Sequence, residues 1–161
     1  MKTSSEVYVG VVGPGDDATK REIKLAFEVG SALAKSGFIV VTGGLSGVME
    51  AASKGAFKAG GITLGLLPTD SRNEANSYLT VSVPTGIGEM RNALVVRTSA
   101  VLISIGGSWG TPSEISLACR IGVPVYSLEG WDLPFDGPIK TLSPLDAIEK
   151  VTAYLDTLPR F

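Results

Sequence analysis

The sequence predicts an α/β fold of the Rossmann-like, doubly wound kind, a mostly parallel sheet with helices on both faces. Three observations predict it. Short apolar, β-prone runs alternate with longer segments of helical periodicity. The connections between them are short, so consecutive strands reach the same sheet by right-handed crossovers. Several of the apolar runs break straight into glycine before a helix begins. No repeat or linker interrupts the alternation, so residues 1–161 read as a single nucleotide-binding domain.

Tyr8 to Val12 is the first expected strand, and it stops at Gly13-Pro14-Gly15. Asp16 or Asp17 is placed to cap the helix that runs to about Lys35. Ile23, Leu25, Ala26, Val29, Leu33 and Ala34 give that helix an apolar face, and Ser36-Gly37 ends it. Phe38 to Val41 is a second buried strand. Thr42-Gly43-Gly44-Leu45-Ser46-Gly47 leads from it into a helix over Val48 to Ala59, which Gly60-Gly61 ends. Ile62 to Leu67 forms the next strand, closed by Pro68. The polar stretch Thr69 to Tyr78 is a surface loop, read as an ordinary solvated connection in preference to a lid over the pocket. Leu79 to Val83 is a short strand ended by Pro84-Thr85-Gly86.

Gly88 to Ser99 reads as a helix with Met90, Leu94 and Val95 on its apolar side. It places Arg91 near its start, where a cation is disfavoured by the helix dipole unless an anion is bound. Ala100 to Ile105 is a buried strand. It breaks into Gly106, Gly107, Ser108, Trp109 and Gly110, and a helix restarts at Thr111 or Pro112 and continues to Ile121. Glu114 falls in the first turn of that helix on this reading. Val123 to Leu128 is another strand, followed by a loop in which Trp131 and Phe135 are expected to pack back on the core. Ile139 to Leu142 is a last short strand, and Ser143-Pro144 opens a helix to Leu158.

The loops at Gly13, Gly43, Pro84 and Gly106 all follow strands, so a parallel sheet puts them on one edge. Ligands of such sheets bind outside the carboxyl ends of the strands. Glycine lets a ligand approach backbone N–H groups, and a helix opening from such a loop adds the positive end of its dipole. The expected ligand therefore carries phosphate, held by Gly43, Gly44, Gly47, Gly106, Gly107, Ser108, Gly110 and Thr111. The full dinucleotide fingerprint is absent: Gly13-Pro14-Gly15-Asp16-Asp17-Ala18 keeps only its first part, and Asp16 repels phosphate. The Walker pattern is absent too.

Composition bounds the chemistry. The net charge is −2 with no basic run, which speaks against a nucleic-acid track. No apolar run reaches membrane-spanning length and no signal peptide opens the chain. The single cysteine, Cys119, suits a reducing cytoplasm and is expected to be a small core residue. Histidine is absent, which removes Ser-His-Asp and Cys-His mechanisms and histidine metal sites. Carboxylates, arginine, hydroxyls and backbone dipoles are left to carry any activity, and no metal site is expected.

Three segments coincide with one superfamily. Gly106-Gly107-Ser-Trp-Gly110-Thr111-Pro-Ser-Glu114 resembles the Pro-Gly-Gly-x-Gly-Thr-x-x-Glu signature of the "lonely guy" (LOG) family. Thr42-Gly-Gly-Leu-Ser-Gly47-Val-Met-Glu50, on to Leu67-Pro68, resembles its earlier glycine loop, and Met90-Arg91-Asn92 its Arg-Lys element. The resemblance spans about Gly10 to Leu128. It implies a Rossmann-like fold and a homodimer or larger assembly. LOG enzymes hydrolyse the N-glycosidic bond of cytokinin riboside monophosphates. Asn92 stands where that family has lysine, and Ile105 where its signature has proline. The run from Pro84 to Asn92 and the shorter chain look closer to the molybdenum-cofactor carrier branch, which holds a phosphorylated pterin without turning it over. The "possible lysine decarboxylase" label attached to the superfamily does not fit: Lys54 and Lys58 lie in an ordinary helix, with no pyridinium partner in view.

Three functions follow as alternatives. A carrier would hold the phosphate of a molybdenum-cofactor or nucleotide ligand through the amides from Gly107 to Thr111 and neutralise it with Arg91, requiring no cofactor of its own. A phosphoribohydrolase would use Glu114 to stabilise a cationic sugar or activate water, with Arg91 orienting the substrate and Asp70, Glu74 or Glu89 as the second acid. A nucleotide-sensing module would bind without catalysis.

Overall fold

The computed structural model describes residues 6–134 and 136–158. Seven strands form one sheet in the order β4-β3-β2-β1-β5-β6-β7. They are β1 (Tyr8–Val12), β2 (Ile39–Thr42), β3 (Thr63–Leu67), β4 (Val81–Pro84), β5 (Val101–Ile105), β6 (Val125–Leu128) and β7 (Ile139–Thr141). Every neighbouring pair is parallel. Helices α1 (Lys20–Lys35), α2 (Val48–Lys58), α3 (Asn92–Thr98), α4 (Gly110–Ile121) and α5 (Pro144–Thr157) cover it. The strand order runs outward in both directions from the β1–β5 pair, which is the topological switch point where such sheets open a crevice.

Alternation along the strands divides the core. Val9 and Val11 of β1, with Val101, Ile103 and Ile105 of β5, pack against Ala26, Val29 and Leu33 of α1, Val48 and Ala52 of α2, and Ile148 of α5. Val12 and Leu102 point the other way, to Val95 and Val96 of α3 and Ile115 and Ala118 of α4. Both faces are therefore sealed, which explains why the central strands read as unbroken apolar runs. Each Val or Leu taken fully out of water contributes about 1.5–3 kcal/mol. The edges are short: β7 has three residues and β4 leaves Val81 and Val83 partly in solvent.

Several local expectations are corrected. Neither Asp16 nor Asp17 caps α1. Both lie in the turn closed by Ala18 N–H on the Gly15 carbonyl, and Asp16 accepts from Ser46 Oγ at 2.5 Å. Thr19 is the cap: its hydroxyl accepts from Glu22 N–H, and Glu22 accepts from Thr19 N–H at 2.7 Å, a reciprocal pair. The segment from Gly88 is two elements, a 3-10 turn over Gly88–Arg91 and then α3. That change of helical period turns Met90 out to solvent, at 72 % exposure, while Val95 and Val96 are buried. Helix α4 begins at Gly110, so Glu114 is its fifth residue and lies past the first turn. Strand β7 stops at Thr141 and leaves Leu142 exposed. Cys119 is half-buried beside the core under α3 and α4.

The connection from Thr69 to Tyr78 braces the β2–α2 loop. The Asn76 amide donates to the Gly44 and Leu45 carbonyls at 3.1 and 3.0 Å, and Asn76 N–H donates to Gly44 as well. Trp131 packs on Gly107 and against the edge of Trp109; Phe135 lies outside the described residues. No helix among the described residues is long and apolar enough to cross a membrane.

Candidate functional site

The carboxyl ends of β1, β2 and β3 face the 3-10 turn and the start of α4 across a cavity of about 190 Å³. Val11, Val12 and Gly13 form its floor at the switch point. Gly43, Leu45 and Met49 come from the β2–α2 connection, Pro68 from the end of β3, and Glu89, Arg91 and Asn92 from the turn into α3. Ser108, Gly110, Thr111 and Glu114 close it from the β5–α4 side.

Seven residues expected at a ligand site thus meet here: Gly13, Gly43, Arg91, Ser108, Gly110, Thr111 and Glu114. Four others do not line the cavity. Gly44 turns with positive φ against the Leu67 side chain. Gly47 packs on the Gly15 carbonyl at a φ of 65°, and a side chain there would run into that carbonyl. The Glu22 carboxylate lies against Gly106, and the Trp131 indole covers Gly107. Among the three acids left unranked by the sequence, Glu89 lines the cavity and Asp70 and Glu74 do not. Leu45 and Met49 lie within the glycine-loop motif, but neither is among the residues expected to touch a ligand. Only the position of Met49 one residue beyond Val48, in the first turn after the glycine loop, hinted at it.

Arg91 dominates the electrostatics. It is 7 % exposed, although it is a permanent cation. One terminal nitrogen donates to Asn92 Oδ1, and the other points at Met49 Sδ, a weak acceptor, 3.8 Å away. Its Nε is buried with no hydrogen-bond partner among the described residues. The guanidinium lies over Gly43, where a Cβ would meet Nη2 at 2.5 Å, so only glycine leaves room for it. Burial holds the arginine below its ordinary pKa, opposed by the fields of Glu114 and Glu89. Neither carboxylate forms an ion pair with it within 4.0 Å among the described residues. A buried cation without a paired carboxylate is costly, so an anion arriving at the guanidinium gains a strong, charge-assisted bond and lowers that cost.

Glu114 is equally enclosed, at 7 % exposure. Burial pushes its carboxyl up to about 7, and Arg91 restrains the rise. Thr111 Oγ1 accepts from Ser108 N–H at 3.4 Å, which leaves its own proton free to donate. Trp109, the N-cap residue of α4, supplies no side-chain bond to the first turn. The geometry joins a buried cation, a carboxyl that titrates near neutrality and an uncapped helix start around one small cavity.

Known proteins share this fold. The family model of the SLOG cluster 4 family matches residues 6–152. The chain belongs to that family. A protein of Archaeoglobus fulgidus is 38 % identical to it over 123 residues, 76 % of this chain and 80 % of its own. Among solved structures, the molybdenum cofactor binding protein from the phototrophic bacterium Rippkaea orientalis superposes with a TM-score of 0.90. It is 34 % identical, over 95 % of this chain and 99 % of its own. The molybdenum cofactor carrier protein from Chlamydomonas reinhardtii gives 0.88 at 33 % identity, over 94 % and 99 %. The family assignment and these structures share the parallel Rossmann-like sheet that the sequence predicts.

Proposed function

We propose that this SLOG cluster 4 protein carries a phosphorylated small molecule in the carboxyl-edge cavity, and that the cargo is molybdenum cofactor or a ligand of similar build. The observation that carries this reading is Arg91, a buried cation on the cavity wall with no carboxylate paired to it among the described residues. A phosphate fits it: Arg91 supplies the charge, and the Thr111 hydroxyl and the start of α4 supply neutral donors. The two structural neighbours named for molybdenum cofactor add support to the choice of cargo. A carrier holds its cargo without favouring a transition state, so no rate gain is expected from tight binding.

Binding is expected to follow the charge of Glu114. A carboxylate beside the anion repels it, so affinity falls as pH rises through about 7, and Glu114→Gln flattens that fall. The test is native mass spectrometry of freshly purified protein, followed by calorimetric titration with AMP and ribose 5-phosphate. Retained pterin-phosphate mass, with binding abolished in Arg91→Gln, supports the carrier. A wild-type chain that binds no phosphorylated ligand refutes it.

One observation favours a second reading. A carboxyl near pKa 7 in an enclosed cavity, with Glu89 on the same wall, suits a proton donor in ribose–base cleavage. Free base released from AMP or a cytokinin ribotide by wild type, and not by Glu114→Ala, would establish the phosphoribohydrolase instead. Either function is compatible with a homodimer or larger assembly. Ile87, Met90 and Leu94 are exposed along the 3-10 turn and α3, next to cavity residues, and offer a second copy an apolar seat. Sedimentation of wild type and Met90→Asp tests that association.

A further inference from the structure

The cavity is small. At about 190 Å³ it falls below the roughly 300 Å³ at which pockets enclose a whole drug-sized ligand. A phosphate and the sugar or alkyl group next to it fit inside. The rest of a nucleotide or pterin has to lie outside, along the rim. Trp109 stands in the chain between Ser108 and Gly110, both of which line the cavity.

Trp109 is 86 % exposed, the second most exposed of the large apolar side chains. Folding gains almost nothing from it there, since so little of its surface leaves water. Yet it is not loose. The Trp131 ring meets it edge-to-face, with centroids 5.1 Å apart and planes at 83°. Trp131 is itself seated against Gly107. An aromatic surface supported by a second ring is therefore open to solvent one residue away from the lining of the cavity whose wall includes Arg91.

We infer that Trp109 is a stacking platform for the planar heterocycle of the ligand, with Trp131 as the positioning residue that holds it. The inference rests on the phosphate reading of the cavity. It assigns the two ends of the ligand to different residues: the anion to Arg91, the ring to Trp109. The ring's chemical class is a purine or a pterin, since stacking requires a flat π-face and tolerates variation in ring substituents. Gly107 takes on a definite role in this arrangement, because a side chain there would displace the Trp131 ring that supports Trp109.

The chain contains two tryptophans, Trp109 and Trp131, so intrinsic fluorescence reports on this pair. The experiment titrates the full chain with AMP, a pterin phosphate ester and ribose 5-phosphate, reading heat and fluorescence, in wild type, Trp109→Ala and Trp109→Phe. The ring-bearing ligands should quench fluorescence and ribose 5-phosphate should not. Trp109→Ala should weaken the ring-bearing ligands roughly 5- to 100-fold and leave ribose 5-phosphate unchanged, and Trp109→Phe should restore most of the loss. Equal losses for all three ligands, or no loss for any, would overturn the stacking role. If Arg91-dependent binding persists while Trp109→Ala is silent, the stacking role alone fails. If wild type binds none of the three, the phosphate reading fails and the stacking role falls with it. A Trp109→Ala change that alters only the oligomeric state would assign the indole to contact between copies and overturn its role with ligand.

Discussion

Two glycine loops follow strands on the same edge of the sheet, and they are built for different ends. The loop after β2, Thr42 to Gly47, is braced by its neighbours in the fold. Thr42 Oγ1 accepts from Gly44 N–H at 3.1 Å, Asn76 donates to the Gly44 and Leu45 carbonyls, and Gly47 presses on the Gly15 carbonyl. The loop after β5, Gly106 to Gly110, leads into a helix start with no side-chain cap and sets Ser108, Gly110 and Thr111 on the cavity. The first loop uses glycine for close packing and for the clearance that Arg91 needs over Gly43. The second also ties N–H groups down, Gly106 on the Leu128 carbonyl, Ser108 on Thr111 Oγ1 and Thr111 on the Ser108 carbonyl, but it leaves the Thr111 hydroxyl proton on the cavity wall across from Arg91. A glycine-rich turn therefore does not by itself mark a phosphate site; what matters is whether its polar groups already have partners.

Substitutions sharpen that contrast. Gly47→Ala is expected to have the largest effect, because its φ of 65° and ψ of −130° disfavour any side chain and the new Cβ would strike the Gly15 carbonyl. A loss of about 4 kcal/mol or more is expected in chemical denaturation, whereas Gly110→Ala, which meets open space, should stay within about 1 kcal/mol. Arg91→Gln should leave the fold intact and weaken ribose 5-phosphate by about 100-fold, roughly 3 kcal/mol, by calorimetry.

Glu114→Gln tests the other buried charge through pH. Burial raises the folded carboxyl to about 7 from an ordinary 4.5, so between those values the folded chain holds the proton more tightly than the unfolded chain. Stability should therefore fall as pH rises from about 4.5 to 7, and the full penalty, on the order of 3 kcal/mol, should be present above 7. Glu114→Gln removes the titration. It should be more stable than wild type at pH 8 and show little difference at pH 4 in denaturant melts. A smaller effect is expected at Asn76→Ala, about 1–2 kcal/mol, from two part-buried carbonyls that lose a donor at the brace.

Most of the architecture was legible in the sequence. Apolar runs ending in glycine located the central strands. Parallel order then placed Gly13, Gly43 and Gly110 around one cavity with Arg91 and Glu114. What failed was local. Thr19-x-x-Glu22 is a visible capping box, yet the two aspartates just before it drew the cap assignment, although Ser46 from another loop engages Asp16. Met90 followed the α-helical period on paper, but a 3-10 turn advances 120° per residue and carried it to solvent. Gly106 and Gly107 were counted with the ligand loop because no spacing rule shows that Glu22 and Trp131, distant in the chain, fill the space above them. Met49 was invisible for the same reason: an apolar residue becomes part of a cation's surroundings only once the fold brings Arg91 to it.

The central claim is that the buried Arg91 guanidinium is the receptor for the ligand's anionic group. Proton–nitrogen correlation spectra of the arginine Nε–H groups, assigned by Arg91→Lys, test it directly during titration with ribose 5-phosphate. The Arg91 signal should shift downfield and saturate with the calorimetric affinity. An Arg91 signal that stays in place while the ligand saturates the protein would contradict the account.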